Sequence, residues 1–139
     1  MYMISGQLRI YGGGADPIAD GGSEIMPLRK KVLEDVADLF GILGHPTRVR
    51  ILALLHQADR DVSELSDRLE VPATNVSQHL ALLRSHHLVA VRREGTRMVY
   101  ALPNPRLADL INRALDLLEE DVSHAREIHK AIELVRLKR

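Results

Sequence analysis

Residues 62–83 read VSELSDRLEVPATNVSQHLALL, and the patterns in this segment predict the fold class. In its second half Val76, Leu80 and Leu83 recur at helical spacing and predict one buried helical face. The residues around that face are short polar types that are mediocre helix formers. Those with a candidate binding role are Thr74, Asn75, Ser77, Gln78 and the flanking His79. Helix stability alone does not explain why these residues are concentrated at the N-terminal end of a helix, so the pattern favours a binding role.

The first half of the stretch predicts a shorter helix. Asp61 and Glu64 have the spacing of a capping box, which starts a helix over residues 62–69. Residues 70–72, Glu-Val-Pro, then form a turn before the polar-fronted helix. Two helices joined in this way predict a helix-turn-helix.

Two more helices are predicted upstream. Apolar residues recur at helical spacing from about Glu24 until Gly44 stops the run. His45-Pro46 opens a second helix, because proline is tolerated at a first-turn position where its missing N–H is not needed. The glycine-rich residues 1–22 show no sustained periodicity, so we expect a flexible leader there and a winged helix-turn-helix domain over residues 23–139.

Downstream the hydrophobic period falls to two, which predicts a β-hairpin that turns at Glu94-Gly95. A last helix follows from about Arg106 toward the C-terminus, on the order of 45 Å long. Its apolar stripe is longer than one small domain can bury, so we expect something outside the monomer to cover it. The predicted fold class is mainly α with one β-hairpin, in the order α-α-α-α-β-β-α.

The composition limits the classes of function. The chain has 139 residues, 19 basic against 19 acidic side chains, and no cysteine. Without cysteine, disulfides, thiolate metal ligands and thiol redox switching are excluded. The sequence contains no apolar run of the roughly 20 residues that span a bilayer and no signal-peptide pattern. We therefore expect a cytoplasmic protein.

The predicted helix-turn-helix indicates DNA recognition. The major groove of B-DNA admits one α-helix, whose N-terminal side chains reach the base edges. Asn75 and Gln78 are candidates for bidentate contacts with adenine, and hydroxyl groups suit either bases or phosphates. The alternative interpretation is a solvated helix face whose polar residues serve only as caps.

The predicted hairpin has the position and charge of a wing. Arg92, Arg93 and Arg97 surround its turn, and three guanidinium groups suit phosphate contacts or entry into the minor groove. The alternative is a charged sheet edge that discourages strand pairing. Across residues 41–100 eight arginines face six acidic residues, so this module is mildly basic although the whole chain is neutral.

Three runs carry a resemblance to a known family: LGHPTRVRILALL, VSELSDRLEV and NVSQHLALLRSHHLVAVRREGTRMVYAL. Over about residues 30–120 the chain resembles the arsenic-repressor (ArsR/SmtB) family of bacterial and archaeal winged-helix repressors. The resemblance implies a homodimer, formed by the first and last helices, that binds double-stranded DNA at a palindromic operator and releases it on an inducer signal. The residues expected at the dimer interface are Leu28, Val32, Val36, Leu107, Ile111, Ala114 and Leu118.

The chain departs from the family pattern at the start of the polar-fronted helix that is predicted to contact DNA. It also departs at the two places where many family members bind metal ions. Pro72 stands where the family often has a hydroxyl residue, which puts the helix cap in question. Residues 61–66 lack the cysteines that many members place before the turn. The positions that match the last-helix metal site are Asn104, Arg106, Leu117 and Glu120, of which only Glu120 keeps the ligand of the family pattern. We therefore predict no cofactor.

One divalent-metal alternative stays open. Glu120 and His124 lie four residues apart on one face of the last helix, with Asp121 and His129 nearby. Two such helices meeting in a dimer would supply four nitrogen and oxygen ligands. The opposing interpretation is a solvated, charged helix face.

The leading hypothesis is a sequence-specific DNA-binding transcriptional regulator, an operator-binding repressor that lacks the usual family metal sites. The first alternative is a metal-responsive repressor with the relocated site. The second is a winged-helix module that binds protein or RNA, which would lack salt-dependent affinity for duplex DNA. The sequence has no Ser/His/Asp spacing, phosphate loop or HExxH motif, so we predict that it is not an enzyme.

Overall fold

The computed structural model describes residues 26–121 and 126–138, which form six helices and three strands. The helices are α1 (Met26–Leu43), α2 (Pro46–Gln57), α3 (Val62–Leu69), α4 (Ala73–Ser85), α5 (Arg106–Asp121) and α6 (Arg126–Val135). The strands are β1 (Arg60–Asp61), β2 (Ala90–Glu94) and β3 (Arg97–Ala101). The predicted leader over residues 1–22 lies outside the described residues.

The chain divides into two compact units between Phe40 and Gly41. In the first unit, α1 exposes a row of apolar side chains at helical spacing. They are Leu28, Val32, Leu33, Val36 and Phe40. A helix with this pattern is amphipathic and has an apolar face to bury.

The second unit begins with the end of α1 and the start of α2. The helix α1 ends just before Gly44, and α2 starts at Pro46, as predicted. The Nδ1 atom of His45 accepts a hydrogen bond from the backbone N–H of Thr47 at 3.2 Å and so caps α2. Arg48 donates from Nε to the carbonyl oxygen of Ile42, which satisfies an otherwise unpaired acceptor at the end of α1.

The core of the second unit is aliphatic, in keeping with a chain that has 3% aromatic residues. Helices α2, α3, α4 and α5 all contribute side chains to it. Its buried members are Ile51, Leu52, Leu55, Leu65, Leu69, Val76, Leu80, Leu83, Val89, Leu107, Ala108, Ile111 and Leu137. Among the described residues, no helix combines the length and hydropathy needed to cross a bilayer.

The three strands form an antiparallel sheet in the order β1-β3-β2. The predicted hairpin is confirmed: Glu94 pairs with Arg97, and a two-residue loop joins the strands. Gly95 has a φ of 63° in that loop, where a two-residue hairpin requires a positive φ. The strand β1 was not predicted, because two residues are too short to show a period.

The prediction of one long last helix is wrong. The side chain of Asn112 on α5 exchanges two hydrogen bonds of 2.9 Å with the backbone of Leu137. In one straight helix these residues would lie about 37 Å apart. Instead α6 packs back against α5, and Arg136 binds Asp116 at 2.7 Å and Glu119 at 3.1 Å. The chain's own C-terminal segment therefore covers part of the stripe.

Candidate nucleic-acid interface

The helix-turn-helix begins with a capping box on α3, as predicted. Asp61 Oδ1 accepts a hydrogen bond from Glu64 N at 2.8 Å, and Asp61 N donates to Glu64 Oε2 at 2.9 Å. The turn follows at Glu70, which takes the left-handed conformation with a φ of 55°. Ser66 Oγ then donates to the carbonyl oxygen of Val71 at 2.7 Å and closes the turn. These local bonds fix the angle at which the next helix leaves.

The helix α4 starts at Ala73 although Pro72 offers no side-chain acceptor. The carbonyl oxygen of Pro72 instead accepts from the backbone N–H groups of Asn75 and Val76, at 2.9 Å and 3.1 Å. On the opposite side, the predicted buried face is confirmed, since Val76, Leu80 and Leu83 are each 0% exposed. Packing rather than capping holds this helix in place.

The outer side of α4 carries the four polar residues that we call the polar face. They are Thr74, Asn75, Ser77 and Gln78, and all four are exposed. Within the part of the chain that the structure describes, none of these four side chains has a hydrogen-bond partner. Their hydroxyl and amide groups are therefore available to an external ligand.

His79 lies at the edge of the polar face and is half-buried. Its ring contacts that of His45 at the start of α2, with 4.5 Å between the centroids and 46° between the planes. Burial is the main reason why the pKa of His79 is lowered, and the nearby His45 and Arg48 lower it further. A neutral imidazole packed in this way is a weaker partner for phosphate than a cation.

The wing places its three arginines in different surroundings. Arg92 pairs with Asp59 and, at 2.8 Å, with Glu94, while Arg97 pairs with Asp61 at 2.8 Å. These carboxylates raise the pKa values of both guanidinium groups. Arg93 donates from Nε to the carbonyl oxygen of Gly95 at 2.9 Å and makes no ion pair with any described residue. The sequence alone groups the three, since the partners Asp59 and Asp61 lie 33 and 36 residues from Arg92 and Arg97.

The predicted dimer residues are also divided by the structure. Leu107 and Ile111 are buried in the chain's own core, at 8% and 9% exposure, whereas Ala114 and Leu118 on the same helix are exposed. The stripe therefore serves the monomer core at its N-terminal end and is open further along.

The alternative metal cluster is described only in part. His129 pairs with Glu119 on α5, whereas His124 and the side chain of Glu120 lie outside the described residues. Across residues 26–121 and 126–138, no group of three His, Asp or Glu side chains is arranged to hold a metal ion.

Comparison with known proteins identifies the family. A family model described as "Bacterial regulatory protein, arsR family" matches residues 45–91. The uncharacterized HTH-type transcriptional regulator Rv0081 of Mycobacterium tuberculosis is 41% identical over 88 residues, which cover 63% of this chain and 77% of that protein. Its crystal structure is similar with a TM-score of 0.62 at 38% identity, covering 66% of this chain and 93% of that one.

Two further proteins support the same assignment. The HTH-type transcriptional repressor SmtB of M. tuberculosis is 33% identical over 107 residues, covering 77% of this chain and 79% of that protein. The homodimeric winged helix-turn-helix DNA-binding domain of Mb0332 from Mycobacterium bovis has a TM-score of 0.63 at 29% identity, covering 78% of this chain and 96% of that one. The chain therefore belongs to the arsR family of bacterial regulatory proteins and is a DNA-binding winged-helix transcriptional regulator, not an enzyme.

Proposed function

We propose that the protein is a cytoplasmic repressor that binds a palindromic operator as a homodimer. In this proposal the polar face of α4 reads the bases, and the wing contacts the DNA backbone. The supporting observation is that four exposed side chains with no described partner stand on a helix fixed by three fully buried residues. Preorganised, unbonded amide and hydroxyl groups suit base edges in the major groove.

The experiment is selection of bound duplexes from random sequence, followed by titration of the selected duplex at several salt concentrations. We expect a palindromic sequence and a linear fall of log affinity with log salt, because phosphate contacts release counterions. The unrelated-sequence duplex and double-stranded RNA are the controls. Equal affinity for all three nucleic acids would contradict sequence-specific operator binding.

The homodimer is supported by two exposed apolar surfaces, each described within its own unit. In α1 the side chains of Leu28 and Val32 are 65% and 52% exposed, and in α5 those of Leu117 and Leu118 are 65% and 53% exposed. Covering each such side chain contributes roughly 1.5–3 kcal/mol. Sedimentation at micromolar concentration should show a dimer, and a monomer there would contradict the proposal.

We also propose that the familiar metal ions of the family do not control this repressor. The chain has no cysteine thiolate. Asn104, Arg106 and Leu117 occupy three of the four positions that match the second metal site of the family. Adding Zn(II), Ni(II), Co(II) or arsenite should change operator affinity less than about tenfold, a small allosteric coupling. A larger loss that disappears in His124→Ala or His129→Ala would favour the relocated site instead.

A further inference from the structure

We propose that Asp61 is a positioning residue for the wing: it holds Arg97 against the start of α3 and so sets the direction of the wing before DNA binds. The inference rests on the proposed function, since it concerns how the same DNA-binding surface is arranged. It differs from the sequence-based expectation that Arg97 contacts phosphate directly.

The sheet alone leaves the wing tip unsupported on one side. The strand β1 pairs with β3 only through Arg60 with Tyr100 and Asp61 with Val99, among the described residues. Arg97 lies two residues closer to the tip than Val99, at the first position of β3. Its side chain reaches back to Asp61 at the end of β1. This ion pair therefore links β3 to β1 beyond the last residues that are joined by backbone pairing.

Asp61 divides its two carboxylate oxygens between two tasks. Its Oδ1 atom accepts from the backbone N–H of Glu64 at 2.8 Å, and its Oδ2 atom accepts from both Nε and Nη2 of Arg97, each at 2.8 Å. The Asp61 side chain is only 18% exposed, and Glu64 adds a second carboxylate 3.7 Å from Arg97 Nη2. The backbone N–H of Glu64 and then Arg97 lower the pKa of Asp61, so the carboxylate stays charged.

A second pair supports the same side of the wing. Arg92 on β2 binds Asp59, just before β1, and also Glu94 near the turn. Both arginines therefore bind the acidic segment of residues 59–64, which leads into α3. Since α3 also packs against α4, the same helix contacts both the wing and the helix that carries the polar face.

The direction in which one substitution changes DNA affinity distinguishes a positioning role from simple charge repulsion. Removing an acidic side chain beside DNA normally raises affinity, because it removes repulsion from phosphate. Removing an acidic residue that orients the wing should instead lower affinity for the operator. Asp61→Asn makes this change while keeping a cap acceptor, since asparagine caps helices about as well as aspartate.

The experiment compares Asp61→Asn with Asp67→Asn, a matched change at an exposed acidic residue of α3 for which the structure describes no ion pair. Affinity is measured for the selected operator and an unrelated duplex, and amide hydrogen exchange is measured for residues 95–98. We expect Asp61→Asn to bind the operator about threefold more weakly than Asp67→Asn, a small effect because the Arg97 side chain of the pair is 53% exposed. Exchange at the wing tip should also become faster.

A second set of variants keeps the test decisive if Asp61→Asn folds poorly. Arg97→Gln should weaken operator binding, Arg97→Lys should restore part of it, and Asp61→Asn should add nothing to Arg97→Gln. The inference is wrong if Asp61→Asn binds the operator as tightly as Asp67→Asn, or if Arg97→Gln reduces the salt slope by about one phosphate contact. Failure of the proposed function appears differently, as wild-type protein without salt-dependent affinity for duplex DNA.

Discussion

The helix α4 and the wing both present polar groups on the surface, but they are held in place in opposite ways. The polar face of α4 has no described side-chain partners, and the helix beneath it is fixed by apolar residues with 0% exposure. The wing has little buried area, since Val99 is the one buried residue among the described residues of β2 and β3. Besides the backbone pairing of the sheet, ion pairs link Arg92 and Arg97 to Asp59 and Asp61. A helix that is fixed by the core can leave its polar side chains unpaired. A thin hairpin instead pairs some of its charged side chains with neighbouring residues.

The strongest test of this comparison is the apolar support of α4. Leu80→Ala should lower the free energy of unfolding by about 2–5 kcal/mol, because it leaves a cavity in a tightly packed core. Urea unfolding followed by circular dichroism measures the change. Ala81→Ser, on the exposed side of the same helix, is the control. Similar stabilities for the two variants would show that packing does not fix α4.

The next largest effect is expected on the polar face. Gln78→Ala should reduce discrimination between the operator and a duplex changed at one base pair by about 1–3 kcal/mol, while non-specific affinity stays the same. Competition titrations with the two duplexes measure it. If Gln78→Ala weakened binding to every duplex equally, the polar face would be contacting phosphates rather than bases.

The cap at Asp61 gives a smaller effect on stability that depends on pH. Asp61→Ala should lower the free energy of unfolding at neutral pH by the modest amount typical of a lost helix cap, because the first turn of α3 loses its acceptor. The pKa of Asp61 is lowered in the folded protein, so its contribution is present above the usual carboxyl pKa of 3.8 and is lost as pH falls through the lowered value. Urea unfolding across that range should show the difference between the two proteins shrinking to the part that a neutral cap acceptor still provides. A difference that does not change with pH would contradict this assignment.

Within the wing, Arg93 should differ from its neighbours. Arg93→Ala should reduce the slope of log affinity against log salt by about 0.9 for any duplex, because one phosphate contact is lost. Arg92→Ala should change that slope less, since Asp59 and Glu94 already neutralise Arg92. Equal slopes for the two variants would remove the proposed division within the wing.

The smallest effect is expected where α4 meets α2. The lowered pKa of His79 means that folding favours its neutral form, so its contribution to stability is complete above the usual histidine pKa of 6.5 and falls as pH drops through the lowered value. His79→Gln should therefore flatten the fall in stability over that range. An unchanged pH profile would show that folding does not shift the pKa of His79.

Much of the fold followed from signals local in sequence. Gly44 ended α1, His45-Pro46 opened α2, the Asp61 and Glu64 spacing started α3, and Glu94-Gly95 placed the turn of the wing. Each signal acts within about one turn of the chain, through a cap, a fixed φ or a hydrophobic period, so sequence alone can reveal it. The residues of the polar face were likewise found by helical spacing.

Features that depend on residues far apart in the chain could not be predicted from the sequence. Asp59 lies 33 residues from Arg92, Asp61 lies 36 residues from Arg97, and Asn112 meets Leu137 across 25 residues. The same holds for β1, which exists only because β3 lies beside it, and for the contact of His79 with His45. Which arginine is paired, where the last helix turns back and which apolar residues are already buried depend on folding, because no local pattern records a contact that packing creates.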